Sequence, residues 1–151
     1  QHLYRTFGYF YEETRSLVLE GSAGSRKIAH AMQSLRHHPP SAIGGIPLTS
    51  VIDRQTGAIT DPTTGSHLGD VDGTRGDVLI YHLADDEVTK IVIRPSGTEP
   101  KLKLYGFAQT PAPTDAGDHA LQELQTVLQK RLAGLLDTFE QLTMSYIHET
   151  A

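Results

Sequence analysis

The stretch "TKIVIRPSGTEPKLKLYGFAQ", residues 89–109, contains two strands joined by an unusually rich connection. Apolar and polar residues alternate up to Arg94 and again from Leu102, which predicts the strands Thr89–Arg94 and Leu102–Gln109. A tight hairpin needs only about two to five loop residues. The longer connection therefore indicates a loop that does more than reverse the chain.

The rest of the chain predicts an α+β fold, with four to five largely antiparallel strands and helices packed on one face. Other strands are expected at residues 16–21, 44–53 and 77–83, and a surface excursion that is rich in Asp, Gly and Thr and contains short hairpins at residues 53–77. A helix capped by Ser22 is expected to end before two prolines. Its apolar face consists of Ile28, Ala31, Met32 and Leu35.

The two ends of the chain also carry helical patterns. A Leu or Phe recurs every three or four residues from Leu121 to Leu142, which predicts one long amphipathic helix after a proline-rich link at residues 110–118. The first residues predict the tail of a helix that breaks at Gly8, followed by an aromatic connector, Tyr9–Tyr11. The chain opens without the layout of a signal peptide, and we expect it to be part of a larger protein.

Composition argues against several classes of function. A chain of 151 residues can bury one core of ordinary size. The formal net charge of −5 argues against a general nucleic-acid binder, and no apolar run approaches the ~18 residues of a membrane span. The absence of cysteine excludes disulfides and thiol catalysis and is compatible with a reducing compartment. We therefore expect neither a nucleic-acid nor a membrane partner.

The connection between the two strands carries groups that bind oxyanions. Arg94 offers a planar fork of donors that suits two oxygens of a phosphate or carboxylate. Ser96 and Thr98 add hydroxyl groups, and Gly97 allows the backbone to come close to an anion. Successive N–H groups in a turn can converge on the same ligand. This inventory fits a small dianionic group best.

The loop is also the centre of a basic island in an acidic chain. Four basic residues face a single acid, Glu99, between positions 90 and 105, and Pro95 and Pro100 stiffen the two ends of the loop. The basic residues are Lys90, Arg94, Lys101 and Lys103. The alternative at this point is a hairpin decorated with exposed charges.

The string "RPSGTEPKLKLY", residues 94–105, resembles the C-terminal phosphate-binding loop of the α-D-phosphohexomutases, the phosphoglucomutase/phosphomannomutase family. Residues 3–13 resemble the end of that family's third domain and its hinge, and residues 26–40 resemble the first helix of the fourth domain. The resemblance implies that residues 1–15 end one domain and that residues 16–151 form a C-terminal phosphate-binding domain. Its fold (β-α-β4-α) would be similar to that of the TATA-binding protein.

The resemblance also implies a reaction and a site. Such enzymes interconvert hexose 1-phosphate and hexose 6-phosphate through a phosphoserine and a bisphosphate intermediate. In this chain the substrate phosphate would be bound by Arg94, Ser96, Gly97, Thr98 and, as a long-range cation, Lys101. The loop would be supported by Pro95, Glu99 and Pro100, with Glu99 pointing away from the ligand and pairing with a lysine.

The other parts of such an enzyme are not recognisable here. The nucleophilic serine segment, the magnesium loop and the sugar-reading loop would lie in three N-terminal domains, so this chain is expected to hold no catalytic residue and no metal ligand, and to be inactive alone. The whole cytoplasmic enzyme would need Mg²⁺ and an activator of the glucose 1,6-bisphosphate type. Met144 and Ile147 lie past the usual end of the family domain, where we expect packing against a neighbouring chain or fraying.

Two other functions stay open. The main one is a stand-alone anion-binding module. The other is nucleic-acid binding through the sheet, which would need a basic concave face with apolar wedges and against which the negative net charge argues. The segment from Asp70 to Thr74 spells a haloacid-dehalogenase-type nucleophile motif, but no apolar strand precedes it, and a turn at Asp72-Gly73 is expected instead. His37 and His38 are expected to end a helix rather than to share a metal.

Overall fold

A computed structural model describes residues 9–85, 87–110 and 117–148 of the chain. These ranges contain eight strands and two helices. In chain order they are β1 (Tyr9–Val18), α1 (Gly24–His37), β2 (Ala42–Ile43), β3 (Ile46–Asp53), β4 (Ala58–Thr60), β5 (His67–Asp70), β6 (Leu79–Leu83), β7 (Val88–Pro95), β8 (Lys101–Thr110) and α2 (Asp118–His148).

The strands form one antiparallel sheet in the order β1-β8-β7-β6-β3-β4-β5, with β2 paired to β3. The predicted α+β fold, an antiparallel sheet with helices packed against it, is confirmed. The sheet is wider than the four to five strands expected, because the excursion at residues 53–77 adds the β4–β5 hairpin to one edge. The loop of interest joins two neighbouring strands, β7 and β8.

The two faces of the sheet differ sharply. One face packs against both helices, and its side chains in β7 and β8 include Ile91, Ile93, Leu102 and Leu104, all fully buried. A typical contact is the edge-to-face packing of Tyr81 on Phe139, whose ring centroids lie 5.1 Å apart. We call the opposite side the open face. In β7 and β8 it includes Lys90, Val92, Arg94, Lys101, Lys103, Tyr105 and Phe107.

The first strand is longer than predicted. The aromatic connector Tyr9–Tyr11 belongs to β1, and every residue of β1 pairs with β8. The expectation of a strand that begins only at Ser16 was therefore wrong. The first half of β1 lacks a clear apolar alternation, because the charged residue Arg15 points to the helix side and pairs there with Asp137. The structure does not describe residues 1–8, and the domain division at residue 15 stays a prediction.

The helices also differ from expectation at their ends. Helix α1 begins at Gly24, and the residue at the cap position is Ala23, which provides no side-chain cap, so the expected cap by Ser22 is wrong. Helix α2 continues to His148, and Ile147 is only 2% exposed because it packs into the core of its own chain. The expectation that Ile147 packs against a neighbouring chain or frays was therefore wrong. Most of the proline-rich link, residues 111–116, lies outside the described residues.

Neither helix in the described ranges combines the length and the hydrophobicity that crossing a membrane requires.

Candidate functional site

The β7–β8 loop is shorter than the sequence indicates, and its length falls within the ordinary range of about two to five residues for a hairpin, so length alone does not indicate a function. Strand β7 continues to Pro95 and β8 begins at Lys101, which leaves five connecting residues, Ser96 to Pro100. The Ser96 N–H donates to the Lys101 carbonyl oxygen (2.9 Å), and the Lys101 N–H donates to the Glu99 carbonyl oxygen (2.8 Å). These two bonds close the base of the loop and leave its tip exposed to solvent.

The tip of the loop holds the two predicted hydroxyl groups. The Thr98 N–H donates to Ser96 Oγ at 3.4 Å, a long and therefore weak hydrogen bond. No atom outside the immediate neighbours of Gly97 would lie within 4 Å of a Cβ built there. The backbone at the tip is thus accessible to a ligand. Glu99 lies beside a lysine, with its Oε2 3.6 Å from Lys101 Nζ.

The base of the loop is held against the start of α1. The Leu19 N–H donates to the Pro100 carbonyl oxygen (2.8 Å), and Gly24, the first residue of α1, packs against both residues. A Cβ on Gly24 would come within 2.1 Å of the Leu19 carbonyl oxygen and 3.2 Å of Pro100 Cβ. Only glycine allows this close approach, which fixes the helix terminus beside the loop.

The start of α1 adds positive potential to this region. A helix N-terminus carries a partial positive charge, which acidic residues normally offset. The first turn of α1 contains no acidic residue, and Arg26 and Lys27 follow within its first four positions. The same helix end adjoins Pro100. The positive end of the helix therefore lies next to the base of the loop.

Arg94 lies on the open face at the edge of the loop. Its Cα pairs in register with that of Lys103 on β8, so the two basic side chains leave the same face of the sheet next to each other. The guanidinium carbon of Arg94 lies 5.8 Å from the centroid of the Tyr105 ring. Contact with the face of an aromatic ring favours a cation there and orients it.

Three cations of the open face have no carboxylate partner among the described residues. Among the described residues, no ion pair involves Lys90, Arg94 or Lys103, although the chain as a whole is acidic. Like charges directly opposite each other on neighbouring strands are destabilising. Arg94 and Lys103 therefore form a locally unfavourable pair that an anion would relieve.

Lys103 was missed as a site residue by the sequence reasoning, which counted it only as part of the basic island. The signal was present in the hairpin register. Once the loop is closed by Ser96 and Lys101, counting back along both strands places Lys103 opposite Arg94. The predicted set of Arg94, Ser96, Gly97, Thr98 and Lys101 lies on one loop and at the ends of its two strands.

The segment that resembles a phosphatase motif has a structural explanation. Asp70 ends the short, mostly exposed strand β5 and contacts His67. The carbonyl oxygens of Asp72 and Thr74 accept hydrogen bonds from the Arg54 guanidinium (3.1 and 2.7 Å). This arrangement ties the backbone of the segment to the end of β3. It provides no buried strand that would present a nucleophilic aspartate.

The two adjacent histidines lie at the end of α1. His37 is the last helical residue, and the His38 N–H donates to the Ser34 carbonyl oxygen (2.8 Å). Both side chains are exposed. Their placement is that of a helix terminus, as the sequence predicted.

The chain was compared with known proteins. No protein-family model matches it. The phosphoglucomutase of Staphylococcus saprophyticus is 32% identical over 105 residues, which cover 70% of this chain and 18% of that protein. The phosphoglucomutase of Staphylococcus aureus strain MRSA252 is 34% identical over 113 residues, covering 74% of this chain and 19% of that protein. This chain is a relative of the phosphoglucomutases.

The similarity concerns one domain-sized part of a phosphoglucomutase. The chain spans less than a fifth of the length of the curated relatives it matches. A crystal structure of the Paramecium phosphoprotein pp63/parafusin, a phosphoglucomutase in an open form, aligns over 85% of this chain and 21% of that one, at 15% identity with a TM-score of 0.40. Within the described parts of this phosphoglucomutase relative, no cluster of three or more His, Cys, Asp or Glu side chains could hold a metal ion.

Proposed function

We propose that this chain is the C-terminal phosphate-binding domain of a phosphohexomutase, and that its β7–β8 loop binds the phosphate of a hexose 1-phosphate or hexose 6-phosphate. The observation that carries the proposal is the pair formed by Arg94 and Lys103. These two cations lie opposite each other beside an exposed, donor-rich loop and have no acidic partner among the described residues. The sequence relationship to phosphoglucomutases supports a phosphate as the missing anion.

Each part of the loop has a distinct role in this proposal. Arg94 donates two hydrogen bonds to phosphate oxygens from a guanidinium oriented by the Tyr105 ring. Ser96 and Thr98 donate from their hydroxyl groups, and the exposed backbone at Gly97 comes close to the anion. Lys101 contributes a charge that Glu99 partly neutralises. Pro95 and Pro100 support the loop and reduce the entropy lost on binding.

The bound phosphate is the one that does not react. Phosphoryl transfer is catalysed mainly by positioning and electrostatics, and binding energy from a remote group can orient the reacting end of the substrate. By binding either the C1 or the C6 phosphate, the loop would accept both orientations of the bisphosphate intermediate. The serine nucleophile would lie in one of the three N-terminal domains of the same cytoplasmic enzyme.

Magnesium and a bisphosphate activator belong to the complete enzyme in this proposal. The described residues of this chain offer no metal-binding cluster, so the ligands for Mg²⁺ would come from the other domains. Mg²⁺ prefers oxygen ligands such as carboxylates and phosphates, and it would neutralise developing charge at the reacting phosphoryl group. The residues of this chain only bind and orient the opposite end of the substrate.

The proposal is tested by the kinetics of the complete gene product with Arg94→Ala. Hydrogen bonds to charged groups contribute about 1.5–3 kcal/mol each, so losing a bidentate contact should lower kcat/KM for glucose 1-phosphate by about 10²-fold. The control is Lys130→Ala, which removes an exposed lysine of α2 far along the chain from the loop. Values within about threefold of wild type for Arg94→Ala would contradict the proposal. A gene product that binds phosphate but lacks mutase activity would instead indicate a stand-alone module.

A further inference from the structure

The outer edge of β1 is a long, regular strand edge. β1 is the terminal strand of the sheet, and all ten of its residues pair with β8 on the inner side. No strand within the described ranges pairs with its outer side. Phe10 and Val18 are 60% and 57% exposed on the open face, near the two ends of this strand. An edge with large exposed apolar residues is a template for pairing with another strand.

We propose that β1 is a self-association edge, at which two copies of the chain pair antiparallel about a twofold axis at Thr14. Residues opposite each other in a continuous sheet must point to the same face, which allows only registers centred on a residue. With Thr14 at the centre, Thr14 faces itself, an aromatic residue faces a β-branched one, and Glu13 faces Arg15, which also contacts Glu13 and Asp137 of its own chain. The pairs are Phe10 with Val18, Tyr11 with Leu17, Glu12 with Ser16, and Glu13 with Arg15.

Cross-strand pairing preferences favour this register over its neighbours. Aromatic with β-branched, Thr with Thr, and opposite charges are the stabilising combinations. A centre at Glu13 would place Glu13 against itself and Phe10 against Ser16. A centre at Arg15 would place two guanidinium groups together and Val18 against Glu12. Charged edge residues normally prevent pairing. In this strand they oppose the neighbouring registers and permit the one centred on Thr14.

A cleft beside β1 provides a second, independent feature. It has a volume of about 740 Å³ and lies between the last residues of β1 and helix α2. Leu17, Leu19 and Met144 contribute apolar side chains to its wall. The proposed register places Tyr11 of the second copy opposite Leu17, on the helix side of the sheet. Its ring would therefore lie next to the mouth of this cleft.

A single-cysteine experiment tests the register directly, because the chain contains no cysteine. In the proposed dimer the two Thr14 Cα atoms lie about 4.5–5.5 Å apart, within the range that a disulfide spans. The two Ser16 residues of the dimer would lie four positions apart along the paired strands, a distance of about 13 Å. Under mild oxidation Thr14→Cys should form a covalent dimer and Ser16→Cys should not. Equal crosslinking of both variants, or none with Thr14→Cys, would contradict the proposal.

Sedimentation velocity of the 151-residue chain tests the surface without crosslinking. Wild type should form a reversible dimer, and Phe10→Lys or Val18→Glu alone should weaken it by tenfold or more. The double variant Phe10→Lys/Val18→Glu should restore it, since each lysine then faces a glutamate of the second copy. The control Val127→Lys changes an equally exposed residue of α2 and should leave the dimer unchanged. A wild-type monomer at all concentrations, or a dimer insensitive to Phe10→Lys, would overturn this inference without affecting the proposed phosphate site.

Discussion

Arg94 and Lys103 lie directly opposite each other on β7 and β8, with both side chains on the open face of the sheet. Neither has an acidic partner among the described residues. The Tyr105 ring contacts one side of the pair, and the exposed tip of the loop lies at its end. Like charges on facing strands repel, and in the proposed function a bound phosphate would offset this repulsion.

Lys103→Gln should therefore have two opposite effects. Removing one of two adjacent cations should stabilise the free chain by about 0.5 kcal/mol, since like charges on facing strands repel. The same change should weaken phosphate binding by about tenfold, because one charged contact is lost. Thermal unfolding with and without phosphate measures both. Lys130→Gln is the matched control, and a Lys103→Gln variant that loses stability in phosphate-free buffer would contradict the argument.

Gly24→Ala should loosen the support of the loop. A methyl group at this position would meet the Leu19 carbonyl oxygen at 2.1 Å, so the helix terminus must shift, at a cost of about 1–3 kcal/mol. Gly97→Ala is the matched comparison, because its Cβ would meet no atom within 4 Å, and it should change stability by less than about 0.5 kcal/mol. Urea unfolding of the two variants distinguishes these cases. Equal stabilities would mean that the contact of α1 with the loop base is unimportant.

The ion pair between Asp85 and Arg131 should make the free energy of unfolding depend on pH in the acid range. Burial acts to raise the pKa of Asp85, but hydrogen bonds from the Val88 and Glu87 N–H groups and from Arg131 outweigh it and lower the pKa below its usual value of 3.8. The stabilisation is therefore present above about pH 4 and is lost as the pH falls through the folded-state pKa. Arg131→Gln should reduce this acid dependence and cost about 1–3 kcal/mol at neutral pH.

Urea unfolding of wild type and Arg131→Gln between pH 3 and pH 7 measures this effect. An unchanged difference between the two proteins across the whole range would show that the ionised Asp85 does not require Arg131.

His82 should titrate below the ordinary range of histidine. Its burial lowers the pKa from 6.5, and the nearby charge of Lys90, its cross-strand partner on the open face, lowers it further. Because the folded pKa is depressed, the associated stability is complete above about pH 6.5 and is lost as the pH falls toward the folded pKa. Lys90→Gln should raise the pKa of His82, as followed by NMR titration of its ring. No change in this pKa would exclude Lys90 as a cause.

The strands and helices that could be predicted are those in which burial of one side sets the spacing of the apolar residues along the sequence. The alternation in β7 and β8 and the Leu stripe of α2 follow from facing one core, and both were located within a few residues. β1 was only partly found, because Arg15 occupies a helix-facing position and is satisfied by Asp137, a partner 122 residues away. The role of Lys103 required the register of the hairpin, which short-range patterns do not contain.

The most direct test of the phosphate site is an NMR titration of the 151-residue chain with glucose 6-phosphate, with glucose as the control ligand. We expect amide shifts to concentrate at residues 94–103, millimolar affinity for the isolated chain, and loss of the response in Arg94→Ala. Glucose should produce no such shifts. Shifts absent from this segment, or unchanged by Arg94→Ala, would contradict the central claim that the β7–β8 loop grips the phosphate of a sugar.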